Sequence, residues 1–417
     1  MGKQNFLKVV LNKYSPIFIF LIVTQLTIFL LISCEDEVTQ PPPKPPGYQE
    51  DIPWPSLADS PWPMGNHDPQ NTGRSQYSGP TSGQIIDSIP AYNLQAGCVI
   101  GPDSTLYFIT SNPAVLTAVT LNGNIKWQRP IAVETSTTPL IDKNNRIYAA
   151  GGRSLFCFTS AGDTVWEFQC DGFQILNANL NIDKNGNLYI IDETHTLFSI
   201  SPSGKLNWKF ADIRIAPSSL HSPAFSPDGN TIYIQSNQVS LIALDINSVT
   251  IKWTFGNEIL YSGPVVDCQG NIYLLPGKRL ISNSGPYIFY CLNSSGIINW
   301  SYTITDQYLG LFDTPTIDRL GNIYFGNDSL YSFSYLGKLN WKKFIAEAAI
   351  KTAIICDENN IIYFGTVNKT LYAFGQDAEL KFIVPFYHIR SLLQPIIAFD
   401  GMILFPIYRD YKIFYIK

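Results

Sequence analysis

From about residue 84 onward, short runs rich in β-branched and aromatic residues are separated by clusters of Gly, Asn and Asp. Runs of that length, apolar throughout or alternating with period two, predict β-strands. The stretch from Thr314 to Trp341 shows one full unit. Thr-Pro-Thr-Ile is a short extended segment, and Asp318 to Asn322 is a turn in which Gly321 is free to take positive φ. Ile323 to Gly326 and Leu330 to Phe333 are two strands, Gly337 makes a second turn, and a fourth strand ends in Trp341.

The first half of this unit recurs along the chain. It stands as Asp103-Ser-Thr-Leu-Tyr107, Asp142 to Tyr148, Asp183 to Tyr189, Asp228 to Tyr233, Asp267 to Tyr273, Asp318 to Tyr324 and Asp357 to Tyr363. A degenerate eighth copy runs from Asp400 to Phe405. The spacing of roughly 40–45 residues, apart from one longer step, is that of a four-stranded propeller blade. The second half keeps the same beat and places Trp127, Trp166, Trp208, Trp253, Trp300 and Trp341 at one repeat position, with Phe382 in the seventh copy. A wide ring at a fixed strand position can pack against the next blade.

The eighth copy lacks this second half, because the chain ends at Tyr411-Lys-Ile-Phe-Tyr-Ile-Lys417. An open ring would expose unpaired backbone groups. Gln84 to Ile89 has the length and apolar content of the missing strand, and Ile86 is expected opposite Ile413. The fold class is therefore all-β: an eight-bladed propeller of four-stranded blades closed by an N-terminal strand. Seven blades is the alternative if the Phe405 copy forms no blade.

The N-terminus reads differently. Lys3, Lys8 and Lys13 precede an apolar run from Ile17 to Ile32, and Leu31-Ile-Ser-Cys34 matches a bacterial lipobox. Residues 1–33 are read as a lipoprotein signal peptide and Cys34 as the lipidated residue, against an uncleaved membrane anchor. Glu35-Asp-Glu37 resembles the export signal of surface lipoproteins in some Gram-negative lineages, and reads equally as a solvated charge run. Pro41-Pro-Pro-Lys-Pro-Pro46, with Pro53, Pro55, Pro61 and Pro63 beyond it, has too few apolar residues to fold alone. Residues 34–61 are expected to be an acidic and proline-rich tether, with Trp54 outside the fold. Residues 62–83 form a lead-in, and the propeller proper spans 84–417.

The lead-in carries a resemblance. Trp62-Pro-Met-Gly-Asn-His-Asp-Pro-Gln-Asn-Thr-Gly-Arg74 is similar to stretches that precede PQQ-like (quinoprotein-type) β-propeller repeats, where a His often stands at the position of Asn71. Ala243 to Trp253 and Ala118 to Trp127 resemble that family's tryptophan-docking motif. The likeness covers about residues 62 to 417. In architecture it extends to the propeller subunit of the outer-membrane β-barrel assembly machine. It implies the fold, and activity only weakly, because fold does not imply function.

Composition narrows the function. A net charge of −5 over 417 residues leaves no electrostatic footprint for nucleic acid. The quinoprotein dehydrogenases that the resemblance brings in hold their quinone against a vicinal disulfide, above a calcium ion. Here no two of the seven cysteines are adjacent, and no matching acidic and amide set can be placed. PQQ and calcium are therefore disfavoured, and no catalytic, cofactor or metal residues are assigned. Cys98, Cys157, Cys170, Cys268, Cys291 and Cys356 share no repeat position and read as small hydrophobes, with a Cys157–Cys170 disulfide left open. His67, His195, His221 and His388 are scattered singly. The recurring Asp turn reads as an ordinary β-turn, its carboxylate accepting backbone N–H bonds. There is no HExxH, GxSxG or Walker loop.

One asymmetry points to binding. The two tight turns of every blade open on one face of the disc and are nearly identical. The remaining turns and the crossovers between blades open on the other face and vary. That face is expected to carry Phe173, Arg214, Tyr261, Lys278, Arg279, Tyr308, Phe312, Tyr387, His388 and Arg390. Variable loops on a rigid scaffold commonly carry binding, and Tyr and Arg are favoured at hot spots. The expected function is a membrane-anchored, non-catalytic binding or scaffold lipoprotein of the bacterial cell envelope. It would be lipid-anchored to the outer membrane, with a protein or polymer partner. A surface carbohydrate or polymer binder is the alternative, and a quinoprotein dehydrogenase is less favoured.

Overall fold

Each repeat folds into a four-stranded antiparallel sheet, and eight such blades succeed one another in the computed structural model. The structure describes residues 43–417 except 95, 112, 132–136, 171–178, 217–221, 261, 280–286, 305–313, 346–348, 387–390 and 409–411. The expected signal segment, Cys34 and Glu35–Glu37 lie outside the described residues. The third blade is representative, with strands Asn181–Ile182, Leu188–Ile191, Thr196–Ile200 and Leu206–Ala211 in that spatial order. Its first three strands are buried throughout, while the outermost alternates between exposed and half-buried residues. The apolar gradient from axis to rim explains why the inner strands read as continuous hydrophobic runs and the outer ones as alternating.

The tight turns are held by their aspartates. Asp183 Oδ1 accepts the backbone N–H groups of Asn185 and Asn187, and its Oδ2 accepts the Tyr189 hydroxyl at 3.1 Å. Asp142, Asp267 and Asp318 repeat this arrangement, with Tyr148, Tyr273 and Tyr324 as the hydroxyl donors at 2.8, 3.0 and 2.8 Å. Each of these tyrosines is buried. The recurring Asp and Tyr are thus one structural device, in keeping with the turn reading.

The tryptophans join neighbouring blades. Trp127 Nε1 donates to Ser160 O at 2.8 Å, and Trp166 Nε1 donates to Pro202 O at 3.1 Å, each in the following blade. Their rings lie flat on Gly162 and Gly204, where an added Cβ would fall 2.6 Å from a ring carbon and φ is +87° and +80°. Both the close approach and the positive φ demand glycine there.

The eighth blade closes as expected, and the seven-bladed alternative is set aside. Ile396–Ile397, Ile403–Tyr408 and Lys412–Ile416 are completed by the N-terminal strand Ile85–Pro90. The register differs from expectation. Ile413 pairs with Ile89, and an irregularity between Ile85 and Asp87 takes Ile86 out of regular pairing. Backbone bonds between Gln84 and Lys417, at 3.0 and 2.9 Å in the two directions, fasten the ends. In the fifth blade, Glu258–Leu260 and Pro276–Arg279 form a separate two-stranded sheet.

The tether expected over residues 34–61 is shorter than the sequence suggests. Residues from Pro46 onward belong to the propeller unit. Gln49, Trp54, Ser56, Ala58 and Ser60 are buried. Trp54 is not outside the fold. It donates Nε1 to Ile182 O at 2.9 Å, lies 5.6 Å from the Phe225 ring and is capped by the Lys184 ammonium. Proline content marked the segment as extended, but extended chain with its carbonyls and one indole satisfied can lie on a surface as readily as leave it.

Candidate functional site

An innermost blade strand has no neighbour on its axial side, so its outward N–H groups need partners. The lead-in supplies them by circling the axis at the tight-turn end. Ile100 N–H donates to Trp62 O, Ile141 to Pro63 O, Phe225 to Pro69 O, Val266 to Gln70 O, Ile317 to Thr72 O and Cys356 to Gly73 O, at 2.8–3.2 Å. In the third blade Asn181 does part of this work, accepting Ile182 N–H on its own Oδ1 and donating Nδ2 to Pro69 O. At the eighth blade Gln394 and Asn66 join through their side chains at 3.0 Å. Asn71, at the place where the resembled family often has His, donates to Ser222 O and Pro264 O from the fourth and fifth blades. Asn66, His67 and Asn71 all adopt positive φ, which turns the chain tightly enough to follow so small a circle.

Outside this inner circuit, residues 47–60 form a strap over the same face. Gln49 N–H donates to Arg319 O of the sixth blade, Gln49 Nε2 reaches Gln269 of the fifth, Trp54 docks on the third, and Lys143 N–H of the second donates to Ser56 O. Strap and inner circuit leave between them a cleft of about 470 Å³, lined by both and by Cys268. Its walls are largely apolar, with Trp54, Leu57, Pro63 and Pro69 among them.

The charged groups of the cleft are unevenly satisfied. Asp68 accepts N–H bonds from Gln70 and Thr72 and the Thr72 hydroxyl, and His67 Nδ1 lies 3.5 Å away. Burial pushes its carboxyl up, but the neighbouring His67 ring and the hydrogen bonds from Thr72 outweigh burial and hold it below the usual carboxylate value. The His67 ring stands edge-on to Trp62. Arg74 is only 5% exposed. Its Nη2 lies 3.3 Å from Asp51 Oδ1 and from Glu50 O, while Asp51 Oδ2 is 2.8 Å from Arg319 Nη1. Arg74 Nε and Nη1 have no hydrogen-bond partner among the described residues.

This cleft is on the face opposite the one the sequence singled out. Of the residues expected on the variable face, Phe173, Tyr261, Tyr308, Phe312, Tyr387, His388 and Arg390 lie outside the described residues. Lys278 and Arg279 fall in the two-stranded sheet of the fifth blade. Arg214 sits in the crossover into the fourth blade and is already engaged, donating Nη2 to Asp212 at 2.6 Å. That bond, ahead of a smaller opposing effect of burial, lowers the Asp212 carboxyl and raises the Arg214 guanidinium. The crossover also bridges onto the fourth blade's own hairpin turn, where Asn237 N–H donates to Arg214 O and Ile215 pairs with Ser236. Ile350 and Thr366 repeat this bridge in the seventh blade. Arg74 and the strap were missed in sequence. The available signal was two Trp-Pro pairs, at 54–55 and 62–63, in a stretch too polar to fold alone, since unfolded linkers are poor in aromatics.

No protein-family model and no curated protein sequence matches the chain. Solved structures do. BamB from Moraxella catarrhalis is similar at a TM-score of 0.60 and 12% identity, over 80% of this chain and 99% of that one. The quinohemoprotein alcohol dehydrogenase from Comamonas testosteroni gives 0.65 and 12%, over 87% and 80%. A europium-containing methanol dehydrogenase gives 0.61 and 10%, over 85% and 90%. The fold these structures share with the chain is the β-propeller. At these identities the likeness speaks for the fold alone. The six described cysteines are all unpaired, so Cys157 and Cys170 form no disulfide, and five of the six are buried. No group of three His, Cys, Asp or Glu side chains that could hold a metal ion occurs among the described residues.

Proposed function

We infer that this chain is a membrane-anchored, non-catalytic propeller that binds or scaffolds a partner protein in a bacterial cell envelope. The observation that carries the reading is the unequal use of the two faces. The chain's own strap and inner circuit cover the mouth of the axis on the tight-turn face. The variable connections are left on the other side. The absence of adjacent cysteines in the sequence is what disfavours a quinone held against a vicinal disulfide.

The test begins with fractionation. Cys34→Ala is expected to leave the membrane fraction or persist as an uncleaved precursor, and normal acylated, membrane-bound protein from that variant would refute the anchor. Crosslinked pull-down from membranes then identifies the partner. Recovery of one protein in stoichiometric amount supports the reading. Recovery of polysaccharide instead favours the polymer-binding alternative, and dye-linked alcohol oxidation after reconstitution with quinone and calcium would overturn the non-catalytic assignment.

A further inference from the structure

The cleft between strap and inner circuit contains a buried cation with an incomplete set of acceptors. Arg74 is charged at any physiological pH. Its one charge partner among the described residues, Asp51, is 60% exposed and is shared with Arg319, which holds it at 2.8 Å against 3.3 Å for Arg74. Two of the three guanidinium nitrogens, Nε and Nη1, have no acceptor among the described residues. A buried guanidinium left this way is costly unless another group completes it. The other carboxylates of the cleft do not serve. Asp68 is engaged with Thr72, Gln70 and His67, and neither Glu50 nor Asp59 gives Arg74 Nε or Nη1 an acceptor.

The planar fork of an arginine matches a carboxylate through two parallel N–H···O bonds. The walls beside it are tryptophan, leucine and proline, and the volume, about 470 Å³, lies within the range of small-molecule sites. We propose that this cleft binds an organic carboxylate with an apolar body, either a small aromatic or alkyl acid or the C-terminal carboxylate of a peptide. The ligand's carboxylate takes the Nε and Nη2 edge of Arg74, giving the unpaired Nε an acceptor and replacing Asp51 at Nη2, Asp51 is released to Arg319 alone, and the apolar body lies against Trp54 and the prolines. This site is independent of the variable face and of the lipid anchor, so either reading can fail without the other.

The experiment is calorimetric titration of the full chain with benzoate, hexanoate, the tripeptide Ala-Leu-Phe, and benzamide and the amidated tripeptide as uncharged counterparts. At least one free acid is expected to bind saturably below about 10 mM, and the amides not at all. Which acid binds names the source. Asp51→Asn, an exposed change, frees Arg74 and is expected to tighten binding by about threefold or more, since the competing ion pair is lost. Arg319→Gln returns Asp51 to Arg74 and is expected to weaken binding. Arg74→Lys keeps the charge without the fork and is expected to weaken it about tenfold. No saturable binding by any acid, equal binding of acids and amides, or an Asp51→Asn protein that binds no better than the parent would each overturn the proposal. Arg319→Gln leaves the Asp51–Arg74 pair in place, so stronger or unchanged acid binding by that protein would overturn the proposal even if Asp51→Asn or Arg74→Lys fails to fold.

Discussion

The tight-turn face and the crossover face are built from the same eight blades, yet only one of them is regular. On the first, the Asp-to-Tyr turn recurs with the same bonds in blade after blade, and the innermost strands present their N–H groups at equivalent positions. Regularity there lets a single extended segment satisfy one blade after another by circling the axis. On the second, crossovers differ in length and sequence, and those into the fourth and seventh blades are fastened locally, as Arg214 is to Asp212 and Ser236. A uniform surface suits the chain's own closure, whereas an irregular one is free to differ from blade to blade. Ring integrity should therefore depend on the strapped face and partner choice on the other.

The largest effect is expected from opening the ring. Truncation after Asp410, or deletion of residues 84–89, removes one side of the ladder joining Ile85–Pro90 to Lys412–Ile416 and exposes an edge with two apolar blade faces. Both proteins should elute as aggregates in size-exclusion chromatography. Ser88 and Phe414 are direct partners, so cysteines placed there should crosslink under mild oxidation, opposite residues being close enough for a disulfide. A cysteine at Ile86 should not join one at Ile413. Crosslinking of the second pair and not the first would reject the observed register.

Next comes the strap. Trp54→Ala should destabilise by about 3–5 kcal/mol in denaturant melts, the range for a buried aromatic. Trp208→Ala should cost less, because that ring is half-exposed on the outermost strand. Equal effects, or a larger one at Trp208, would mean that the strap contributes little to the tight-turn face.

Why the strap was hidden and the blades were plain follows from how each encodes its structure. The blades repeat, so each turn aspartate and each docking tryptophan is seen several times over, and the one missing half-repeat pointed directly to Gln84–Ile89. The strap occurs once. Its burial rests on main-chain carbonyls, which leave no sequence trace, and on the single indole of Trp54. Arg74 was legible only as part of a lead-in motif, since its isolation depends on Arg319 approaching the same aspartate from a distant blade. Ile413 pairs with Ile89, three residues from the expected Ile86, because an edge strand of mixed pattern such as Ile85–Pro90 carries no strict alternation to fix its register.

A smaller effect separates the faces by pH. Burial raises the Asp267, Asp318 and Asp357 carboxyls above their usual value, with hydrogen bonds offsetting it only in part. The Asp212 carboxyl lies below the usual value because of Arg214. The signs are opposite. A raised carboxyl binds its proton more tightly when folded, so its contribution is present below the unfolded value of about 3.8 and lost as pH rises through the folded one. Asp212 contributes above about pH 3.8, and loses that contribution as pH falls through its folded value. Carboxyl carbon NMR should show Asp318 titrating above, and Asp212 below, a model aspartate. Coincident midpoints would erase the contrast.

The smallest effect on stability should come from the variable face, where the largest effect on binding is expected. Replacing Lys278 and Arg279 together by Ala alters an excursion outside the fifth blade's four-stranded sheet, so no blade ladder is broken and the melting temperature should hold. Capture of the membrane partner should fall, because arginine is enriched at interface hot spots and charge steers association. The control must be chosen with care. Lys184→Ala is not neutral, since the Lys184 ammonium lies over Trp54 and donates to Pro227 O at 2.7 Å. Lys338 is exposed on a tight turn, and Lys338→Ala should change neither melting nor capture. If Lys338→Ala abolished capture while the Lys278 and Arg279 changes left it intact, partners would bind the strapped face, and the assignment of roles to the two faces would have to be reversed.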